Sequence, residues 1–225
     1  MIRRGEEWAE PPTTVEPTMV VGGDADLARA ASEARGRPLR FDPRSDSDLA
    51  RVLGLAHGDG EAVGLAVDAM DVGDLGWCVN AVVVGTAPDR VRWWHRRREA
   101  RVVVDDREAF VGPAFAVVIA NGQFLRGCDL VPKGHPGDGR LEVQVYAVEP
   151  RERTEMRRRL SGGGHLPHPG IHQFRGRRVS VSCAHARSLE IDGLPVEPMD
   201  TVSAAVLPGV IRLAVGNLRG PPRGE

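Results

Sequence analysis

Asn121-Gly122-Gln123-Phe124-Leu125-Arg126-Gly127, then Pro132, then His135-Pro136-Gly137-Asp138-Gly139-Arg140-Leu141-Glu142-Val143, sets one acidic residue on a turn between two strands. The apolar segment Phe115 to Ala120 precedes this run, and the alternating segment that starts at Leu141 and ends at Val148 follows it. Asp138 lies between Gly137 and Gly139, so its carboxylate projects from a tight connection. There it either reaches a substrate hydroxyl or, in the plainer reading of a hairpin turn, bonds only its own backbone.

Downstream of Phe115 strands dominate: 141–148, 178–183, 188–191, 202–207 and 210–215 all read as strands, with glycine and proline between them. One helix, Arg151 to Leu160, interrupts them and stops at Ser161-Gly162-Gly163-Gly164. Upstream, Thr18 to Val21 reads as a short buried strand and Leu27 to Arg35 as an Ala-rich helix. Asp46 or Ser47 caps a second helix carrying Leu49, Val52, Leu53 and Leu55, and Glu61 to Met70 reads as a third. Gly76 to Gly85 and Arg101 to Val104 read as strands, with Pro88 opening an Arg- and Trp-rich helix between them. The expected architecture is an α/β remnant followed by a mainly antiparallel β-sandwich, α+β overall. The expected divisions are a flexible leader at 1–17, the α/β part at 18–71, the sandwich at 72–209 and a disordered tail at 216–225.

The chain has 225 residues, enough to bury a substantial core. A formal net charge of -1 gives no global attraction to polyanions, and no nucleic-acid partner is expected. Lys133 is the only lysine, so arginine carries nearly all positive charge. Cys78, Cys128 and Cys183 are odd in number and lack a Cys-x-x-Cys spacing, which fits reduced thiols. Met1 to Glu10 lacks an apolar signal region, and no apolar run reaches the roughly 18 residues of a membrane span. The expected location is cytoplasmic, with peripheral contact at the inner face of the membrane. That contact is expected from Trp93, Trp94, Arg96, Arg97 and Arg98, which join interfacial aromatics to a basic cluster; the competing reading is a solvated helix whose tryptophans pack inward. His165, His168 and His172 lie in a Pro- and Gly-rich loop whose spacing fits no strong zinc motif.

Val20-Val21-Gly22-Gly23-Asp24 places a Gly-Gly turn between a strand and a helix, where backbone N–H groups and a helix N-terminus suit phosphate. Ala25 adds a side chain there, and Asp26 a second negative charge beside Asp24.

In their order, these motifs resemble the C-terminal half of the diacylglycerol kinase catalytic family, bacterial lipid kinases related to sphingosine kinases and distantly to NAD kinases. The carrying residues are Asn121-Gly122, Gly127, Val131-Pro132 and Asp138-Gly139-Arg140-Leu141. Asp192-Gly193-Leu194 stands where the family has Asp-Gly-Glu, and Gly22-Gly23-Asp24-Ala25-Asp26 where it has Gly-Gly-Asp-Gly-Thr. The segment from Asp48 to Leu55 resembles the second half of the family's Pro-x-Gly-Thr-x-Asn-Asp-Phe-Ala-Arg-x-Leu-Gly stretch. The likeness spans about residues 19–215.

The resemblance implies ATP and Mg2+ as cofactors and a lipid or lipid-like hydroxyl as acceptor. It makes Asp138 the catalytic base, with Gly22, Gly23, Asp24, Asn121 and Asp192 at the nucleotide side; a metal site is not assigned. The strand at 210–215 is expected to return to the nucleotide-binding part. Only about 20 residues precede Gly22, where relatives carry a full βαβ segment, so a truncated nucleotide part and a homodimer covering it are expected. Two functions follow as expectations: ATP-dependent phosphorylation of a lipid hydroxyl, or a catalytically impaired pseudokinase that binds lipid or protein.

Overall fold

We describe a computed structural model that covers residues 9–10, 16–44, 46–55 and 63–215. The elements run β1 Ala9–Glu10, β2 Thr18–Gly22, α1 Asp24–Ala34, β3 Leu39–Pro43, α2 Asp48–Leu53, β4 Val63–Asp71, β5 Trp77–Cys78, β6 Ala81–Gly85, β7 Arg98–Val104 and β8 Arg107–Ala114. They continue with β9 Ala116–Ala120, β10 Phe124–Leu125, β11 Cys128–Asp129, β12 Leu141–Tyr146, α3 Arg153–Arg159, β13 Ile171–Gly176, β14 Arg178–Ile191 and β15 Leu194–Val215. This is the α+β architecture, mainly antiparallel strand with few helices, that the sequence implies.

One continuous sheet runs β1-β4-β15-β14-β6-β9-β12-β13, with β7 paired to β14 and β8 to β7. The two long strands belong to more than one layer. The first half of β14 pairs with β7 from Val179 to Cys183, and its end pairs with β6 from Leu189 to Ile191. Bulges on either side of Arg187 make that turn of direction possible, because an unpaired residue bends a strand and raises its twist. β15 likewise pairs with β14 and β4, and its last residues run parallel to β3 through Leu213↔Leu39.

Two sides of the central strands are filled, which explains their unbroken apolar sequence. Val82, Val84, Val117, Ile119, Val143 and Val145 face the sandwich interior with Val102, Val181 and Val202. Ala81, Val83, Ala116 and Val118, on the reverse face, pack beneath Tyr146, Met156, Leu160 and Leu130. Each buried valine contributes about 1.5–3 kcal/mol relative to exposure. A separate core joins α1, through Leu27, Ala28 and Ala31, to Val20, Leu39 and Phe41 of β2 and β3 and to Ile211 and Leu213 of β15.

Four expectations change. Residues 61 and 62 of the third expected helix lie outside the described residues, but the rest of it is strand β4, paired on both edges and covered on both faces. A strand buried in that way need not alternate, so Val63, Leu65, Ala66 and Val67 imitate a helical stripe. No helix forms from Pro88; residues 86–97 are turns and extended chain. The pairs of strands expected at 178–183 and 188–191, and at 202–207 and 210–215, are each one bulged strand. In the expected leader, Ala9–Glu10 pair antiparallel with β4, while the remainder before residue 16 and the expected tail lie outside the described residues.

Candidate functional site

A cavity of about 610 Å³ opens where the α1–α2 layer meets the sandwich. Gly23, Asp24 and Asp26 line one side, Asp48 and Arg51 of α2 another, and Asn80, Arg126, Asp192 and Leu194 the sandwich side. Of the five carboxylates that line it, those of Asp24, Asp26, Asp48 and Asp192 are engaged by donors of the chain.

Asp24 is the first residue of α1, but its side chain turns to α2. It accepts the Ser47 hydroxyl at 2.5 Å and the N–H groups of Asp48 at 3.2 Å and Leu49 at 3.3 Å. Ser47 Oγ in turn accepts the Ala50 N–H at 3.0 Å, making Ser47 the cap of α2. Burial raises the Asp24 carboxyl to about 7, and the negative fields of Asp192 and Asp48 push it the same way against the Ser47 hydrogen bond. The folded state then binds a proton that the unfolded chain has released above pH 3.8, so stability falls as pH rises from about 4 to about 7. Urea titrations across that window should show this loss in the wild type, and Asp24→Asn should flatten it.

Asp48 accepts the N–H groups of Arg126 and, at 2.7 Å, of Gly127, both presented by the β10–β11 turn. Desolvation raises its carboxyl. Asp192 occupies the turn between β14 and β15 at φ 48. Its carboxylate accepts Val79 N–H at 2.9 Å, Asn80 N–H at 2.8 Å, Ala81 N–H at 3.2 Å and the Cys78 thiol at 3.0 Å. Burial pushes this carboxyl up as well. Asn121 lies one layer deeper, donating to the Asp68 and Val79 carbonyls at 2.9 Å each. Its Oδ1 and that of Asn80 are buried without a partner among the described residues.

The Gly-Gly turn has a distinct occupant. Asp26 reaches back so that its Oδ2 accepts the Gly23 N–H at 3.1 Å, while its Oδ1 pairs with Arg29 at 2.7 Å. A Cβ on Gly22 would stand 2.2 Å from that Oδ2, so the carboxylate fills the space beside the turn. The donor that a phosphate would use at a helix N-terminus is therefore satisfied internally.

Of the residues expected at the site, the structure gathers Gly23, Asp24 and Asp192 around the cavity, keeps Gly22 and Asn121 adjoining it, and leaves Asp138 off its wall. Asp138 accepts the Arg140 N–H at 3.0 Å and is paired with Arg175 of β13, which also binds Glu142 at 2.9 Å. Its turn is fastened by Asp68 of β4, a residue that motif reading missed. Asp68 accepts the Gly139 and Gly209 N–H groups at 2.7 Å each and donates its own N–H to the Pro136 carbonyl at 2.8 Å. A lone carboxylate inside the apolar run 65–70 was the available signal. Among the described residues, no three His, Cys, Asp or Glu side chains gather to hold a metal ion. With the carboxylates of Asp24, Asp26, Asp48 and Asp192 engaged and the Gly23 N–H self-occupied, the site does not fit ATP and Mg2+ as the chain stands.

Residues 82–215 match the YegS C-terminal NAD kinase beta sandwich-like domain, and the chain belongs to that family. A diacylglycerol kinase crystal structure from Bacillus anthracis str. Sterne superposes with a TM-score of 0.69 at 14% identity, covering 88% of this chain and 75% of that one. Yeast NADH kinase complexed with NADH superposes with a TM-score of 0.52 at 12% identity, over 89% of this chain and 61% of that one. At such identities the likeness establishes the fold. No curated protein matches the sequence.

Proposed function

We propose that this chain is a catalytically impaired relative of the diacylglycerol kinases, a pseudokinase that binds a lipid-like or protein ligand rather than turning over ATP. The observation that carries the reading is Asp26 on the Gly23 N–H, a carboxylate where a nucleotide phosphate would need a donor. Charge supports it: even without Asp24, whose proton is held to about pH 7, the carboxylates of Asp26, Asp46, Asp48 and Asp192 outnumber Arg44, Arg51 and Arg126 on the cavity wall, which disfavours a triphosphate. Leu194, 56% exposed at the rim, stands where the resembling family has a glutamate and brings no polar group. Arg44 and Arg51 also line the cavity without an ion-pair partner among the described residues, which suits a ligand carrying less negative charge than ATP.

Titration calorimetry with MgATP tests this directly, alongside a lipid phosphorylation assay. The expected result is no binding heat at millimolar nucleotide and no phosphorylated lipid. Turnover that disappears in Asp138→Asn or Asp24→Asn would establish the active kinase instead.

A further inference from the structure

The turns from residue 86 to 97 carry two indoles outward: Trp93 is 69% exposed and Trp94 58%, packed edge to face with ring centres 5.5 Å apart. Their backbone is nonetheless fastened to the core. Arg153 is buried over the Phe115 ring and donates through Nη1 to the carbonyls of Arg92 at 3.0 Å, Trp93 at 3.4 Å and His95 at 2.5 Å. Apolar groups held out on a fixed turn lose little freedom when they enter another phase.

Beside Trp94 lies a second cavity, of about 410 Å³, lined by His95, Arg96, Arg98, Arg187 and Ser188 and, among the described residues, by no acidic side chain. Arg187 is 7% exposed, at the bulge of β14. Its Nη2 donates to the Phe115 carbonyl at 2.5 Å, while Nη1 is buried with no partner among the described residues. The guanidinium is seated by Gly85 at φ +95, where a Cβ would come within 2.4 Å of Nη2. A buried cationic donor without an acceptor is unfavourable, and a phosphate oxygen would satisfy it. His95 accepts the Arg92 N–H at 2.8 Å through Nδ1, which places its ring proton on Nε2, free to donate. Arg97 and Arg101 are taken by Glu149 and Glu108, whereas Arg96 and Arg98 are exposed with no ion-pair partner among the described residues.

We propose that this cavity binds the phosphate of an anionic phospholipid headgroup, with Trp93 and Trp94 seated in the interfacial layer of a membrane. Aromatic insertion and headgroup charge act together, as stable peripheral attachment requires. Free phosphate would use the same arginines, but it gives two exposed indoles on a rigid turn nothing to contact. Arg187 and Asp192 are five positions apart along one chain direction, so the surface stands roughly 17 Å from the acidic cavity at the rise of a strand. The inference does not depend on whether that cavity binds nucleotide.

Sedimentation of the full chain with vesicles of phosphatidylglycerol and phosphatidylcholine, compared with phosphatidylcholine alone, tests the proposal. Binding is expected to favour the anionic vesicles, with a blue shift of tryptophan emission. Arg96→Glu with Arg98→Glu, both exposed and compatible with folding, should weaken it by about tenfold or more. Trp93→Ala with Trp94→Ala should remove the blue shift. Arg187→Met should weaken anionic binding with an unchanged vesicle-free circular dichroism spectrum; if that variant does not fold, the Arg96 and Arg98 pair decides. Reversing Arg151 and Arg158 instead should leave binding intact. Equal partition into both vesicles, or equal loss from the two reversed pairs, overturns the site. A blue shift with inorganic phosphate alone and no vesicle binding overturns the membrane source.

Discussion

Asp192→Ala is expected to destabilise the protein by about 3 kcal/mol or more, the largest effect of any single change at the cavity. Three backbone N–H groups, of Val79, Asn80 and Ala81, converge on that carboxylate, together with the Cys78 thiol. An orphaned buried donor costs about 1–3 kcal/mol, and water entering from the cavity recovers part of the sum. Asp192→Asn keeps an acceptor oxygen but turns an NH2 toward donors, so it should fall between the wild type and the alanine variant. Urea midpoints measured with unchanged m-values would show the loss. A midpoint that stays put in Asp192→Ala would mean the turn is organised by something other than this carboxylate. The same variant removes one of the fields raising Asp24, so the Asp24 carboxyl should move down toward its ordinary range and the pH window of stability loss should shift with it.

The second large effect is a gain. Ala25→Gly combined with Asp26→Thr is expected to raise MgATP affinity about tenfold to a hundredfold, from a wild type with no measurable binding. The exchange frees the Gly23 N–H, removes one negative charge from the cavity wall and takes away the Ala25 methyl. A charge-assisted hydrogen bond contributes about 1.5–3 kcal/mol, which sets that range. Calorimetry on the double variant gives the answer. If the double variant still takes up no nucleotide, Asp26 is not what closes the phosphate position, and the missing binding must be traced to the rest of the cavity wall.

Most of the sandwich was legible because its strands announce themselves. Phe115 to Ala120 is a short apolar run ended by Asn-Gly and became a strand at nearly its expected bounds, while the strand expected from Gly76 to Gly85 is divided into Trp77–Cys78 and Ala81–Gly85. Legibility failed where burial or a distant partner overrode local pattern. β4 is covered on two faces, so its apolar residues lost the alternation that marks a strand. The segment after Pro88 carries helix-forming arginines, yet its carbonyls at 92, 93 and 95 are claimed by Arg153, some 60 residues later, and a turn wins over a helix. At the cavity, Gly23, Asp24 and Asp192 were found because they sit in motifs. Asp48, which opens a segment resembling the family, and Asp68 were given no role, since what they do is accept N–H groups from loops 79 and 71 positions away, which no local spacing reveals. The place of Asp138 illustrates the converse: its turn was read correctly as a turn, and only three dimensions show Arg175 holding its carboxylate.

β15 leaves a mark on how this molecule comes into being. Its final residues supply the partner for β3, so an edge made with residues 39–40 waits until residues 213–214 have been made. Contacts between such distant positions are slow to close. The α1 layer can collapse on β2 and β3 soon after they emerge, but its core stays open until Ile211 and Leu213 arrive to complete it. A nascent chain halted before residue 211 would present β3 as an unpaired strand edge, the kind of surface on which other chains, or a chaperone, settle.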